Sequence, residues 1–458
     1  MNLDQLRKQA KELVAEARRG DRAALERLGD LPVRLASAQL VVARDHGYPS
    51  WPALVHAGEA SVETFVVAAT SARCERARRL LDARPEIEDD RWARLVLGRG
   101  WDGEPNEVGG PRRWAPLHYV CHSCFADVEL ARELLERGAD PNAYFLNEHG
   151  PMSALFGAAG VLHDPELTAA LLQHGADPNG EPRRGDALYH STEAEDPACL
   201  RLLLEHGAEP QGSNALAHAL DYERPEHVRL LLDAGAGVEG RELVHAVRRG
   251  RGVEYIQVLA DAADDLDARG GEWSTPSYQY RTAYQNAVLR GSDDVAALLA
   301  RLGADTQLKP GDREVANLAR GERPDRPLPA ELDPDQQEVL ILAALGGRLD
   351  LVVELLGPDF FGHVGGGPPG ALLHHACWVG SDELVRRLLA LGADPLARSG
   401  AEFDQPLAWA VLGSQYHDMP GRDYVAVADR LLAAGAEVEP RFAEVAQGPL
   451  ADWVEDRV

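Results

Sequence analysis

The sequence is poor in aromatic residues and in lysine. Aromatic residues make up 6% of the 458 residues, which suits closely packed helices rich in Leu and Ala. The lysines are Lys8, Lys11 and Lys309, so arginine supplies the other 44 of the 47 basic residues. Because this usage is typical of a high-GC genome, we expect a bacterial protein.

Cysteine is scarce, and long apolar runs are absent. The cysteines are odd in number and irregularly spaced, which predicts reduced thiols in a cytosol rather than a disulfide framework. Residues 1–8 lack the apolar segment of a secretory signal, and no stretch reaches the roughly 18 apolar residues of a membrane span. We therefore expect a cytoplasmic protein. The cysteines are Cys74, Cys121, Cys124, Cys199 and Cys377.

Basic residues are fewer than acidic ones. The chain has 74 Asp and Glu against 47 Lys and Arg, a formal net charge of −27. A nucleic-acid binder needs a basic surface to displace counterions from phosphate, and anionic lipid repels an acidic surface. We expect neither nucleic acid nor membrane as a partner, and a basic protein is favoured. Alternatively, the acidic excess only keeps a long helical array soluble.

A repeated phrase determines the predicted fold. Leu-Leu-x-x-Gly-Ala-Asp-Pro-Asn occurs at 134–142 and 171–179, and degraded copies follow at 203–210, 231–239, 298–305, 388–395 and 431–438. The leucines close an amphipathic helix, the glycine suits a left-handed residue after it, and the proline prevents continuation. A shorter apolar helix lies about 13 residues before each Leu-Leu pair. Each unit is therefore a helix pair that must stack on its neighbours to bury its apolar face.

The phrase resembles the ankyrin repeat. The Thr-Pro-Leu-His helix start of that family is matched best at 115–118 (APLH) and 371–374 (ALLH), and its Gly-Ala-Asp-Pro-Asn ending at 138–142 and 175–179. The resemblance covers roughly residues 61–440. It implies an all-α ankyrin-repeat solenoid of about ten helix-pair units, with a concave groove that binds other proteins.

The chain divides into four predicted parts. Residues 1–60 have helical spacing and are expected to form an N-terminal helical cap, followed by the ankyrin-repeat array at 61–308. A Pro- and charge-rich connector at 309–337 precedes a second ankyrin-repeat block with a C-terminal capping helix, 338–458. The connector and the block can also be read as one continuous array.

Three insertions interrupt the repeat spacing and are richer in aromatic residues than the rest of the chain. They lie at 98–114, 269–281 and 357–370. Loops at these positions line one edge of an ankyrin groove, so their rings are candidates for partner contact. Equally, the rings can fold back and pack on their own loops. The candidates are Trp101, Trp114, Trp273, Tyr278, Tyr280, Phe360, Phe361 and His363.

Histidines recur in one register of the repeat. Stepping back 13 residues from the leucine pairs, or from the Val-Leu pair at 258–259, gives His190, His218, His245, Gln285 and His375. One hypothesis is that they line the groove and bind an acidic or hydrogen-bonding partner more strongly as the pH falls toward about 6.5. The alternative is that each imidazole bonds backbone within the stack. Units about 10 Å apart cannot share a metal ion.

Other motifs that suggest chemistry are weak. His118, Cys121, His122 and Cys124 are spaced like metal ligands, but His118 matches the structural histidine of the family and Cys121 its small core residue. The glycines at 98–103 lack the strand and helix of a dinucleotide site, and no HExxH, GxSxG or P-loop pattern occurs. We expect no metal, no cofactor and no catalytic residue.

The predicted function is a non-catalytic scaffold that binds a protein in its groove. The insertion aromatics would be the anchors, and His190, His218 and His245 would line the groove. The alternative is an enzyme or small-molecule sensor whose pocket is formed by the inserted loops and groove histidines, with His218, His245 and His363 as acid–base groups. Self-assembly through the array ends is a third possibility, so the oligomeric state stays open.

Overall fold

A computed structural model describes residues 3–147, 150–180, 186–269, 281–365, 367–400, 404–417, 419–455 and 457. The chain forms two compact units, Met1–Ala236 and Gly237–Val458, which are described separately. The fold is all-α, as the repeats predict, with two short antiparallel hairpins in the described residues.

The first unit consists of helix pairs and one longer hairpin. Its α-helices are α1 (Leu3–Arg18), α2 (Arg22–Leu28), α3 (Leu35–Asp45), α4 (Trp51–Glu59), α5 (Val62–Ala69), α6 (Cys74–Ala83), α7 (Arg91–Val96), α8 (Pro116–Cys121), α9 (Val128–Glu136), α10 (Ala154–Phe156), α11 (Pro165–Gln173), α12 (Asp186–Ser191), α13 (Ala198–Glu205), α14 (Ala215–Ala219) and α15 (Pro225–Asp233). Strands β1 (Tyr144–Asn147) and β2 (Gly150–Ser153) pair antiparallel between α9 and α10. A 3₁₀ turn (Pro85–Asp89) precedes α7, and a π-helical turn (Gly157–Val161) follows α10.

The second unit repeats the pattern. Its helices are α16 (Arg241–Arg248), α17 (Val253–Ala262), α18 (Ala283–Leu289), α19 (Asp293–Leu302), α20 (Asp312–Arg320), α21 (Pro334–Ala343), α22 (Leu349–Leu356), α23 (Leu372–Trp378), α24 (Asp382–Ala390), α25 (Pro406–Gly413), α26 (Tyr424–Ala433), α27 (Phe442–Val445) and α28 (Pro449–Glu455). Strands β3 (Phe361–Gly362) and β4 (Gly370–Ala371) close the inserted loop between α22 and α23. The π-helical turn Ala344–Arg348 joins α21 to α22, and a 3₁₀ turn (Ser414–Tyr416) follows α25.

The repeat phrase forms the end of each second helix, as predicted. Leu134 and Leu171 are fully buried, and burying one leucine side chain contributes about 2 kcal/mol. Gly138 and Gly175 follow with φ of 91° and 87°, a conformation that residues with a Cβ rarely adopt. The second helices α9, α11 and α13 pack side by side, so neighbouring units bury each other's apolar faces.

The Asn that ends the phrase links neighbouring units. The Asn142 side-chain amide donates to the Gly175 carbonyl at 2.9 Å and accepts from the Asp177 amide at 2.8 Å. Asn179 makes the same two bonds to the next unit, at residues 207 and 209. These pairs satisfy backbone groups that the helix ends leave without partners, so the phrase encodes stacking as well as helix termination.

The first helices of the chain form a separate small core. Helices α1 to α4 bury Leu6, Leu13 and Leu54 together, and Asp21 caps α2 through the Ala24 amide at 2.9 Å. Helix α4 begins at Trp51, because Ser50 caps the helix and a proline fits its first turn.

The segment 309–337 is part of the helix stack of the second unit rather than a separate connector. It contains α20, which packs against both α18 and α21. The buried Arg281 side chain donates to Asp312, Asp333 and Asp335 at 2.6–3.2 Å, tying this segment to α18. The boundary between compact units lies instead at 236/237. At the C-terminal end, where the sequence predicts one capping helix, the described residues after 441 form two short helices, α27 and α28.

The expectation of five reduced thiols is wrong. Cys74 and Cys124 form a disulfide across 50 residues of sequence, whereas the other three cysteines are free and buried. Cys74 begins α6 and Cys124 follows α8, and the Cys124 amide donates to the Ala69 carbonyl at the end of α5. Stacking of units therefore brings the two sulfurs together. Because disulfides persist mainly in oxidising compartments, the cysteines no longer argue for a reducing cytosol.

Candidate functional site

The hairpin β1–β2 presents two apolar side chains to solvent. Tyr144 is 56% exposed and Leu146 is 73% exposed. Side chains alternate along a strand, so Phe145 between them points the other way, and its ring stacks on Trp114 with centroids 3.9 Å apart. The hairpin is thus anchored by its middle residue while its two neighbours remain available for contact.

The first insertion, 98–114, folds back on its own unit. Trp101 and Trp114 are 5% and 8% exposed. Trp101 packs on Trp92 and donates from its indole to the Glu104 carbonyl at 3.0 Å. Trp114 packs on Tyr119 as well as on the hairpin. These two rings hold the loop and the hairpin in place. They pack on their own unit, as the second alternative from the sequence predicts, and their burial leaves little surface for a partner to contact.

His118, Cys121 and His122, which are spaced like metal ligands, are buried in the core of the first unit. His118 donates from Nε2 to the Ala143 carbonyl at 3.0 Å, and His122 donates from Nδ1 to the His118 carbonyl. Burial lowers the pKa of His118 to about 4 and that of His122 to about 3. Cys121 is fully buried, and burial raises its thiol pKa. Within the described ranges, no three His, Cys, Asp or Glu side chains are arranged to hold a metal ion.

Ring contacts continue from this core to a half-buried group on α12, on α14 and just after α14. His122 contacts Phe156, whose ring lies edge-on to His190 at 5.2 Å. His190 and His218 lie 6.1 Å apart, and Tyr189 stacks on His218 at 3.7 Å. We call the half-buried end of this run the aromatic strip, defined as Tyr189, His190, His218 and Tyr222.

The histidines of the strip have partners within their own unit. His190 donates from Nδ1 to Glu193 at 2.6 Å, and Nε2 of His218 lies 3.7 Å from the same carboxylate. Nδ1 of His218 donates to the Tyr189 carbonyl at 3.1 Å. The shared repeat position therefore brings His190 and His218 together. The bond of His218 agrees with the interpretation that these imidazoles bond backbone within the stack, whereas His190 bonds a side-chain carboxylate instead.

Two carboxylates and one guanidinium lie beside the strip. Burial, assisted by the carboxylates of Asp221 and Glu193, raises the pKa of Tyr189 and of Tyr222. One face of Tyr222 is occupied by the Arg224 guanidinium, 4.8 Å from the ring centroid. The arrangement offers aromatic faces beside carboxylates, which favours contact with basic side chains.

The second unit contains an apolar cavity of about 720 Å³. Its lining includes Trp378 and Trp409 from α23 and α25, Leu342 and Leu345 from α21 and the turn after it, and Val364 from the inserted loop. Trp409 is only 5% exposed and packs edge-on against His375 at 5.1 Å. Cavities of this size and character are typical of small-molecule sites.

The predicted residues of the second unit lie around this loop. Phe360 is half-buried and packs against the core, whereas Phe361 is 43% exposed. His363 is half-buried and donates from Nδ1 to the Gly367 carbonyl of the same loop at 3.3 Å. His375 donates from Nε2 to the Gly362 carbonyl at 3.2 Å, and burial lowers its pKa to about 4. His245 is half-buried in α16.

Three predicted anchors, Trp273, Tyr278 and Tyr280, lie outside the described residues. Sequence reasoning missed Tyr144 and Leu146, although their alternation around Phe145 directly after a Pro-Asn end was a usable signal. It also missed Trp378 and Trp409, because no local pattern connects residues on two separate repeat units.

Two comparisons with known proteins find ankyrin repeats. A family model described as Ankyrin repeats (3 copies) matches residues 155–242, and one described as Ankyrin repeat matches 112–144 and 371–400. The structure is similar to the human ASB11 ankyrin repeat domain, at 22% identity over 53% of this chain and 98% of that chain, with a TM-score of 0.37. It is also similar to the ankyrin repeat domain of Bcl-3, at 23% identity over 54% and 88% of the two chains, with a TM-score of 0.27. No curated protein matches the chain.

In the part of the chain that the structure describes, no helix is long and apolar enough to span a membrane.

Proposed function

The chain is an ankyrin-repeat protein, and we propose that its first unit is a non-catalytic scaffold that binds another protein through the β1–β2 hairpin and the aromatic strip. Ankyrin repeats serve generally as protein-interaction modules, and the repeats alone name no ligand. The choice of surface therefore rests on the side chains of this chain.

One observation carries the proposal: Tyr144 and Leu146 are exposed on a hairpin that is itself fixed. A free apolar pair at 56% and 73% exposure is unfavourable in water, and exposed apolar patches commonly mark interaction surfaces. Large aromatic side chains are enriched among the residues that dominate binding energy. Phe145 and Trp114 hold the hairpin in place, so little conformational entropy is lost when a partner binds.

Charge supports a basic partner. The carboxylates of Glu193 and Asp221 lie close enough to the tyrosines of the aromatic strip to raise their pKa. The whole chain has a formal charge of −27. Arginine or lysine side chains of a partner can contact the ring faces and the carboxylates together. Binding should therefore weaken as ionic strength rises, because salt screens exposed charges over about 10 Å at 0.1 M.

Site-specific photo-cross-linking tests the proposal. A photoreactive phenylalanine analogue replaces Leu146 in one version of the full chain and Glu205 in another, and both are expressed in the host. Glu205 ends α13 and is exposed, so it serves as a solvent-accessible control on the same unit. We expect a specific protein adduct at 146 and none at 205. Equal adducts at both positions, or none at 146, would reject the hairpin as the binding surface.

A further inference from the structure

We propose that the cavity of the second unit binds a small, uncharged molecule with an apolar, ring-containing body. This inference goes beyond the scaffold function, because it concerns the other unit and a different class of ligand. It rests on the size of the cavity, the chemistry of its lining and the way its loop wall is fixed.

Size indicates a small molecule rather than a single side chain of a protein partner. The volume of about 720 Å³ lies within the range of roughly 300–1,000 Å³ for small-molecule sites. It is larger than any one amino-acid side chain, so a docked side chain would leave much of the apolar lining in contact with water. An apolar cavity gains most from a ligand that fills it.

The lining indicates an uncharged ligand. None of the described residues around the cavity carries a carboxylate, an ammonium or a guanidinium group. His375 is neutral at pH 7, because burial lowers its pKa to about 4, and its Nε2 is already bonded to the Gly362 carbonyl. A charged ligand would lose its hydration without gaining a counter-charge.

Rings and amides define the rest of the ligand's chemistry. Trp378 and Trp409 contribute indoles whose centroids are 6.3 Å apart, and such faces pack well on another aromatic ring. Gln415 and Gln447 also line the cavity, and both are exposed. Their amides can bond one polar group of the ligand while its apolar body contacts the indoles.

The loop wall of the cavity is held by a buried charge network. The Gly365 amide, next to Val364, donates to Glu338 at 2.8 Å. Glu338 in turn accepts from Arg248 at 2.7 Å and from Arg290. Pairing of β3 with β4 closes the base of the same loop. The cavity is therefore formed before a ligand arrives, which reduces the entropic cost of binding.

A matched pair of fluorescent probes tests this inference on the full chain. N-phenyl-1-naphthylamine is uncharged and apolar, and 8-anilino-1-naphthalenesulfonate is a related anion. We expect saturable binding of the neutral probe and at least tenfold weaker binding of the anion. The variant L342R places a charge at the cavity, whereas L355R makes the same change outside it. Leu342 and Leu355 are 42% and 38% exposed, so both variants should fold.

The expected result is at least tenfold weaker binding of the neutral probe to L342R and a change of less than twofold for L355R. V364R, on the loop wall, should repeat the effect of L342R. The inference is overturned if the neutral probe does not saturate, if the anion binds equally well, or if L342R and L355R behave alike. A cavity that accepts only a protein partner would give the first of these results.

Discussion

Arg281 permits a quantitative test of what stabilises the second unit. Its guanidinium is fully buried and donates five hydrogen bonds to Asp312, Asp333 and Asp335, at 2.6–3.2 Å. Arg281→Met keeps much of the side-chain volume but leaves these carboxylates without their shared cation. Removing one partner from a buried ion pair costs about 3–5 kcal/mol, a large fraction of the roughly 5–15 kcal/mol that stabilises a typical domain.

The loss should depend on pH in a defined direction. Burial by itself would raise the pKa of Asp333, but the Arg281 guanidinium holds that pKa below its usual value. A carboxylate with a lowered folded pKa stabilises the fold above its unfolded pKa of about 3.9, and this contribution is lost as the pH falls through the folded pKa. Without Arg281, the Asp333 carboxylate takes up a proton at higher pH, so less of the penalty for leaving it unpaired remains at low pH. The stability difference between wild type and R281M should therefore shrink as the pH falls from 7 to about 4.

Urea unfolding at both pH values measures this difference, and hydrogen exchange of peptides within 283–343 locates it in the second unit. Arg313→Met is the matched control, because Arg313 is exposed on the neighbouring helix α20. We expect the control to change stability by less than about 0.5 kcal/mol. A loss below about 1 kcal/mol for R281M, or a difference that is constant with pH, would refute the reasoning.

Three further predictions concern the first unit and the thiols. Asn142→Ala removes two hydrogen bonds between units and should cost about 1–2 kcal/mol in urea unfolding; an unchanged midpoint would contradict the bridging role. Denaturation without reductant should expose three reactive thiols out of five, and a thiol assay that counts five would disprove the disulfide. In NMR titration, His118 should remain neutral down to about pH 5, because burial lowers its pKa to about 4. Its lowered pKa should also reduce stability as the pH falls from about 6.5 toward 4, and titration near 6.5 would contradict the packing.

Features encoded within one repeat were predictable from the sequence. The Leu-Leu pair, the left-handed glycine and the following proline act over a few residues, so Leu134 and Gly138 have the places that the phrase predicts. The helix pair and the all-α fold follow from the same local signals. The packing of His118 as a structural residue was also indicated by its match to the family.

Features that depend on contacts between repeats were not predictable in the same way. Cys74 and Cys124 come together only because units stack, and their separation of 50 residues does not predict the disulfide. For Trp101 the sequence leaves open partner contact or self-packing, and the choice depends on its contact with Trp92, a residue outside the inserted loop. The cavity likewise combines residues from 342 to 447, a range over which no sequence pattern extends.

The central claim is that the hairpin of the first unit contacts a protein partner, and affinity measured on the partner recovered by cross-linking tests it most directly. The double variant Y144S/L146S is compared with L25S/V33S, which removes two other apolar side chains of the same unit that are 40% and 38% exposed. Two dominant contact residues at about 1–2 kcal/mol each correspond to a loss of roughly 30-fold or more. We expect that loss for Y144S/L146S and less than a threefold change for L25S/V33S. Equal affinity of both variants and wild type would contradict the account.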